Sequence, residues 1–345
     1  MDAAKLLNWY RANKRDLPWR KTSDVYAVLV SEMMLQQTTV ETVLGYYTRF
    51  LARFPDVQSL AAASEEEVLD AWKGLGYYSR ARNLHKLAKQ AAENGGVFPD
   101  TLEEWRKLPG VGPYIAGAVT SIALGLPHAA VDGNVLRVFA RADGIADDIM
   151  LPQTKKRVEE RVQGLMPRDA TSDFTQALME LGALVCRPVS PNCAACPVVE
   201  GCLAHQRGIV DELPLKKPKE KQQVVRMWVA VVETPDAVLL EHRQNDTLLA
   251  HMWGLPIVEQ QGDRPAEELL AEKYGIRLSG GQPAGHAVHV FTHRRWKMDI
   301  LRVKLDEEFP VDGALEWVSW EQFERKPVPT AFMKALQTAR KEDRL

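Results

Sequence analysis

Two carboxylates are set apart by the company they keep. Glu32 is the only charged residue after Asp24 in Val25-Tyr26-Ala27-Val28-Leu29-Val30-Ser31-Glu32-Met33-Met34-Leu35. The run is apolar nearly all round, so the helix it predicts is buried on most faces. A carboxyl desolvated there has a raised pKa and can act as an acid near neutral pH. The alternative is a glutamate on the one solvated stripe. Asp132 follows an apolar run and opens the next helical segment, where the plain reading is an N-cap. Upstream lies Leu108-Pro109-Gly110-Val111-Gly112-Pro113-Tyr114, followed by the apolar spacing Ile115, Ala118, Val119, Ile122. Glycines at a helix start leave bare N–H groups that the helix dipole directs at an anion such as phosphate, although a simple turn has the same composition. A phosphate grip followed by a carboxylate is the pattern of an enzyme of nucleic acids.

All four cysteines crowd into one stretch, Cys186, Cys193, Cys196 and Cys202, spaced C-x6-C-x2-C-x5-C. Four thiolates on a short irregular loop can close around one metal centre. Structural zinc usually takes two close Cys pairs, and only one is present. The spread suits a cube whose irons each take one cysteine, so iron–sulfur is favoured, with zinc and then free thiols as alternatives.

These groups need a scaffold. Up to about residue 206 the pattern is helical, with amphipathic segments starting near Ala3, Asp24, Val40, Ser64, Ser79, Thr101, Pro113, Asn134, Gln153 and Thr171. Phe54-Pro55 and Phe98-Pro99 read as breaks. An all-α domain of about ten helices is expected over 1–207. Residues 208–223 form a polar Pro- and Lys-bearing linker. From 224 to 345 the grammar changes to α+β: strands over 225–232, 237–241, 286–292, 296–304 and 314–318, with helices over 265–274 and 330–339.

Totals set the limits. At 345 residues the chain has room for two cores, and 46% hydrophobic with 26% charged content is ordinary for a globular protein. Net charge is −2; residues 1–207 carry 24 Lys+Arg against 24 Asp+Glu, and 224–345 carry 16 against 19. Any nucleic-acid face is therefore a local patch. No apolar run approaches the roughly eighteen residues of a membrane span, and no secretory signal opens the chain, so a cytoplasmic protein is expected.

The segments Ser31-Glu32-Met33-Met34-Leu35-Gln36-Gln37-Thr38, Gly74-Leu75-Gly76-Tyr77-Tyr78-Ser79-Arg80-Ala81-Arg82-Asn83, Leu108 to Tyr114, 131–137 and the cysteine loop occur in order along the chain. Together they resemble the helix-hairpin-helix DNA glycosylases of the endonuclease III superfamily, and among them the adenine-excising branch. The hairpin of endonuclease III reads Gly-Val-Gly-Arg-Lys, and its lysine attacks the sugar as a lyase. Here Tyr114 stands at that position and offers no amine. The resemblance therefore implies a monofunctional hydrolase that flips adenine, paired with 8-oxoguanine or guanine, out of duplex DNA.

On that resemblance Glu32 protonates N7 of adenine, and Asp132 stays ionised and stabilises the oxocarbenium-like sugar. Tyr114 and Asn134 support the sugar, the water and Asp132. Trp19, Arg20 and Leu35 line the adenine pocket, while Gln37 and Tyr77 insert around the lesion pair. Gly110, Val111 and Gly112 hold the backbone phosphate. The cysteines bind one [4Fe-4S] cluster, bracing a DNA surface that includes Arg187. Read from the residues alone, the Gly74 to Asn83 run, with Arg80 and Arg82, suits groove contact.

The 224–345 domain resembles the Nudix-like domain of the same family, with Phe291-Thr292-His293 where the family usually carries Phe-Ser-His to read 8-oxoguanine. Residues 265–274 lack the Arg-Glu…Glu-Glu array of a Nudix hydrolase, so binding without hydrolysis is expected. A monomer is expected, working in the nucleoid, with repair or replication proteins docking on the linker. The competing readings are an endonuclease III-like lyase on oxidised pyrimidines, a non-catalytic lesion binder and a Nudix phosphohydrolase.

Overall fold

The computed structural model describes residues 1–216, 222–244, 248–291 and 293–341. By internal packing the chain falls into two units, Met1–Ala63 with Ser79–Pro218, and Ser64–Tyr78 with Lys219–Leu345. The helices before the linker are α1 (Ala3–Asn13), α2 (Val25–Leu35), α3 (Val40–Arg53), α4 (Val57–Ala62), α5 (Glu65–Ala71), α6 (Ser79–Glu93), α7 (Leu102–Trp105), α8 (Pro113–Ile122), α9 (Gly133–Ala142), α10 (Pro152–Leu165), α11 (Thr171–Leu184) and α12 (Leu203–Gln206). The all-helical expectation holds. Two short helices escape the sequence reading: α12, a single turn, and α4, because Phe54-Pro55 reads only as a break. Asp56 caps it, accepting from Ser59 N at 2.8 Å while the Ser59 hydroxyl bonds back to the cap.

In the first unit α2 is the buried axis. Val28, Leu29, Val30, Met33 and Met34 are all sealed from solvent, and α8 and α3 pack against it. Its C-terminal carbonyls have no helical partner. Arg80 of α6 supplies one, donating to the carbonyls of Met33 (3.0 Å), Met34 (2.7 Å) and Gln36. This corrects the groove-contact reading of Arg80: the side chain is buried and braces α2.

A second core joins α1, α9 and α11 through Leu6, Tyr10, Val135, Phe139, Phe174 and Leu178. Two glycines permit the close approaches between these parts. Gly110 has φ 72, and a Cβ there would stand 2.5 Å from Asn83 Cβ. At Gly117 of α8 a Cβ would meet the Ala129 carbonyl oxygen at 2.1 Å, which lets the chain leading to Asp132 lie against the helix.

The second unit holds β1 (Gln223–Glu233), β2 (Ala237–His242), β3 (Trp253–Gly254), β4 (Ile257–Glu259), β5 (Gln282–Val290), β6 (Arg294–Lys304) and β7 (Leu315–Ser319), with helices α13 (Ala266–Tyr274), α14 (Trp320–Arg325) and α15 (Thr330–Lys341). One mixed sheet runs β3-β2-β1-β6-β5, with β4 beside β1 and β7 beside β2. β1 and β6 are parallel, and the other pairs are antiparallel. One sheet face packs on α15 through Val225, Met227, Trp296, Met298 and Phe332. The other meets α13 through Val232, Leu239, Leu269 and Val303. β3, β4 and α14 were not foreseen; strands of two and three residues are too short to display alternation.

The segment Ser64–Tyr78, read as part of the first domain, belongs with this second unit. Lys73 Nζ donates to the carbonyl of Lys326 at 2.9 Å, and Lys326 pairs with Glu66 at 3.4 Å. Among the described residues no helix is long and apolar enough to cross a membrane.

Because backbone cannot yield cheaply, Gly117→Ala is expected to destabilise the first unit by about 1–3 kcal/mol, read as a lower urea midpoint.

Candidate active site

Both carboxylates lie where helices begin or pass close together in the first unit. Glu32, in the third turn of α2, is 4% exposed, so the solvated-stripe alternative falls. Tyr114 sits in the first turn of α8, and its phenol donates to Glu32 Oε2 at 2.5 Å. Burial lifts the Glu32 carboxyl to about 7. The Tyr114 hydrogen bond and Arg20 oppose the rise, whereas the negative charge of Asp132 adds to it. Burial, reinforced by Glu32 and Asp132, raises the Tyr114 phenol well above its ordinary range, so it stays a donor. Resemblance had placed Tyr114 in support of Asp132; its hydrogen bond goes to Glu32.

Asp132 caps α9. Its Oδ1 accepts from Val135 N at 2.7 Å and its Oδ2 from Asn134 Nδ2 at 2.8 Å. Burial pushes this carboxyl up, and those donors, with Arg137, pull it back. All three stabilise the ionised form. The net shift of Asp132 is still upward, and the two carboxyls differ in their donors: Glu32 faces one hydroxyl, Asp132 two N–H groups.

Asn134 is itself fixed. Arg137 donates to Asn134 Oδ1 (2.7 Å), to the Gly182 carbonyl (2.8 Å) and to the Cys186 carbonyl (2.8 Å). A chain of hydrogen bonds thus runs from the Asp132 carboxylate to the first residue of the cysteine loop. Sequence reading gave Arg137 no role, since one arginine on an amphipathic helix looks like a solvated charge.

Arg20 and Trp19 occupy a short 3-10 turn, Pro18–Arg20. Trp19 is buried, edge-on to Tyr47 at 5.3 Å between ring centroids. Arg20 is mostly buried. It grips fully buried Glu180 of α11 through two bonds of 2.8 and 2.7 Å, and Arg15 adds two more of 3.0 and 2.7 Å. Burial works against the Glu180 charge, but the two guanidiniums outweigh it and hold the carboxyl at about 2. Glu180 was missed because its partners lie some 160 residues away.

Leu35 ends α2, half-buried, and Gln37 follows, exposed with φ 61. In the second unit Tyr77 is likewise exposed with φ 48. Left-handed backbone is costly for residues other than glycine and marks functional loops. At the hairpin, Val111 N bonds the Leu108 carbonyl at 3.1 Å and Gly112 is the N-cap of α8. Pro113 at N1 has no N–H, so the Tyr114 and Ile115 amides are the first donors of that helix end.

Cys186, Cys193, Cys196 and Cys202 line one cavity with Val138, Leu181 and Val198. They surround it instead of converging: among the described residues no three His, Cys, Asp or Glu side chains meet tightly enough to hold one metal ion. Burial pushes the Cys196 thiol up to about 11. Thiolates there need positive charge, which is what a metal centre supplies. Arg141, buried beside them, donates to Cys186 Sγ (3.4 Å) and to the carbonyls of Arg187 (2.7 Å), Pro188 (3.3 Å), Val210 (3.0 Å) and Leu213 (2.8 Å). The first part of the expected linker is thereby anchored to the first unit, with Leu213 buried.

In the second unit Phe291 closes the β5–β6 hairpin, its N–H bonded to the Arg294 carbonyl at 2.8 Å and its ring edge-on to Trp296 at 4.8 Å. His293 is exposed. Thr292 lies outside the described residues. On α13, where a Nudix hydrolase carries acids, Lys273 Nζ stands among oxygens: Tyr274 Oη (2.6 Å), the Ile257 carbonyl (2.9 Å) and Glu241 Oε1 (3.3 Å).

A family model for HhH-GPD superfamily base excision DNA repair proteins matches residues 30–168, and a NUDIX domain model matches 227–338. Fold and site thus define a base-excision repair protein built from a helix-hairpin-helix unit and a Nudix-fold unit. The chain is 36% identical to the adenine DNA glycosylase of Rattus norvegicus, covering 96% of this chain and 76% of that one. It is 37% identical to that of Mus musculus, covering 97% and 77%. The solved structure of a thermostable thymine-DNA glycosylase is 30% identical with a TM-score of 0.55, over 59% of this chain and 95% of its own. The chain belongs to the adenine DNA glycosylase family.

The raised carboxyl has a stability consequence. Unfolded, Glu32 loses its proton near its ordinary value; folded, it keeps it to about 7. Stability therefore falls as pH rises between those values and stays reduced above them. Glu32→Gln removes the penalty and is expected to raise urea stability at pH 8 by up to roughly 3 kcal/mol, with the gain vanishing toward pH 4.

Proposed function

We propose that this chain hydrolyses the N-glycosidic bond of adenine mispaired with 8-oxoguanine or guanine in duplex DNA, leaving the strand unbroken. The observation that carries the reading is the buried Glu32 carboxyl, lifted to about 7, next to the capped Asp132 carboxylate. A protonated acid and an ionised carboxylate are the two roles that glycosidic cleavage through an oxocarbenium-like sugar requires.

The adenine is flipped out of the stack, and Glu32 delivers its proton to N7 as the base leaves. The Tyr114 phenol orients the Glu32 carboxyl for that transfer. Asp132 stabilises the positive sugar while water attacks, its carboxylate aimed by Asn134 and Arg137. Tyr114 carries no amine, so no Schiff base with the sugar forms at that position. Trp19, Leu35 and the Arg20–Glu180 pair shape the base pocket. Gln37 and Tyr77, already in left-handed backbone, enter the duplex at the lesion. Gly110, Val111 and Gly112 present the N-terminus of α8 to a backbone phosphate.

The second unit reads 8-oxoguanine with the Phe291–His293 hairpin tip. The absence of an Arg-Glu…Glu-Glu array from residues 265–274 supports binding without hydrolysis. Residues 1–207 are the catalytic domain, 224–345 the lesion-reading domain, and 208–223 the connection, with its later part open to repair or replication proteins. The protein acts on nucleoid DNA in the cytoplasm, as a monomer. Cys186, Cys193, Cys196 and Cys202, which line one cavity, would hold one [4Fe-4S] cluster, which would brace the loop carrying Arg187 and supply no redox step to the hydrolysis.

In a single-turnover assay, an A:8-oxoguanine duplex should yield free adenine, with strand breaks only after alkali. The rate should fall as pH rises through about 7, where Glu32 deprotonates. Glu32→Gln and Asp132→Asn should each slow release at least about 100-fold while still binding the duplex. Absence of alkali-labile sites, or borohydride trapping as the main product, would sink the reading. For the cluster, purified protein should be brown with about four irons per chain; colourless protein with stoichiometric zinc would overturn that assignment.

A further inference from the structure

In β1, β6 and β5 the register stacks side chains in rows across three strands. Val224, Arg295 and Val290 form one row; Arg226, Lys297 and Val288 form the next; Trp228, Asp299 and His286 form the third. Members of a row share one face of the sheet, and neighbouring rows on that face lie about 7 Å apart. The opposite face of the same strands is core, built on Val225, Met227, Trp296 and Met298. The rows themselves lie beyond the α13-side core of Val232, Leu239 and Leu269.

The first two rows carry Arg226, Arg295 and Lys297, all exposed, and Val224, Val290 and Val288, exposed at 51%, 51% and 48%. Among the described residues none of the three cations has a side-chain hydrogen bond or ion pair. Among the described residues of these three rows the one acid, Asp299, is taken by His286 and by Gln260 at 2.5 Å. Arg226 stands directly opposite Lys297. Like charges in that relation destabilise a sheet, and exposed valines add nothing in compensation. The segment 224–345 is acidic overall, 19 acids against 16 bases, so chance composition does not make this patch. Its first row adjoins the hairpin tip at Phe291 and His293.

We propose that this ladder is a contact surface for the sugar–phosphate backbone of duplex DNA. The cations lie on phosphates and the valine methyls against deoxyribose, flanking the base that the hairpin tip reads. An anion covering Arg226 and Lys297 removes the repulsion that the bare sheet tolerates. Contacts of this kind carry no sequence information and act on any duplex. The assignment rests on the lesion-reading role of the second unit.

The test uses the full metal-loaded chain and two duplexes, one undamaged and one with 8-oxoguanine opposite a non-cleavable abasic analogue. Substituting Arg226→Gln, Arg295→Gln and Lys297→Gln together should reduce the slope of log affinity against log salt by about two to three. At 0.1 M salt binding to both duplexes should weaken by about one to three orders of magnitude. An unchanged or higher unfolding temperature shows that the triple variant folds, and Arg277→Gln, an exposed cation outside these rows, should keep the wild-type slope. An unchanged slope, or a loss confined to the 8-oxoguanine duplex, overturns the proposal. Retained DNA binding with lost affinity for an acidic protein overturns it too. Adenine release by wild type is scored separately: no release with a reduced slope defeats the functional reading alone, and release with an unchanged slope defeats this surface alone.

Discussion

Two carboxylates placed near each other away from water cannot both be charged cheaply, and the first unit is arranged around that conflict. α2 carries Glu32 into a sealed interior with one hydroxyl donor, Tyr114. α9 offers Asp132 its N-terminal amides and the Asn134 side chain. The result is an ordering of proton affinities set by hydrogen-bond donors as much as by burial. Much of the remaining polar structure serves the same conflict. Glu180 absorbs the charge of Arg15 and Arg20 close by, so the site gains cations without leaving them bare. Breaking such a buried network typically costs several kcal/mol.

Several helices were legible in the sequence because they advertise their own start. Asp24, Thr39, Ser64, Thr101 and Asp132 all accept from the first-turn amides that their types predict. Glu32 was legible for a similar reason, as a lone charge in an apolar run. What the chain did not disclose was pairing at a distance. Glu180, Arg137 and Arg141 look like ordinary helical charges until folding brings carbonyls and guanidiniums to them. Arg80 misled in the opposite sense, because a buried arginine and a groove-binding arginine share one letter. The bond from Tyr114 to Glu32 was equally hidden, since side-chain direction and not spacing decides it.

The second unit puts one sheet to two uses. β1 alternates over its outer half and is buried on both faces over its inner half, so one strand serves both as core and as a bare face. At α13 the Lys273 amine stands among the oxygens of Tyr274, Ile257 and Glu241. A fixed cation can neutralise Glu241 but has no open coordination position for water.

Asp132 also has a mechanical meaning. Each of its oxygens is already engaged, Oδ1 by the Val135 amide and Oδ2 by Asn134, and Asn134 is locked in turn by Arg137. A carboxylate riveted at both ends cannot swing to follow an atom in motion. Any group that meets this carboxylate must therefore come to it, because its position and its two engaged lone pairs are set by α9 itself.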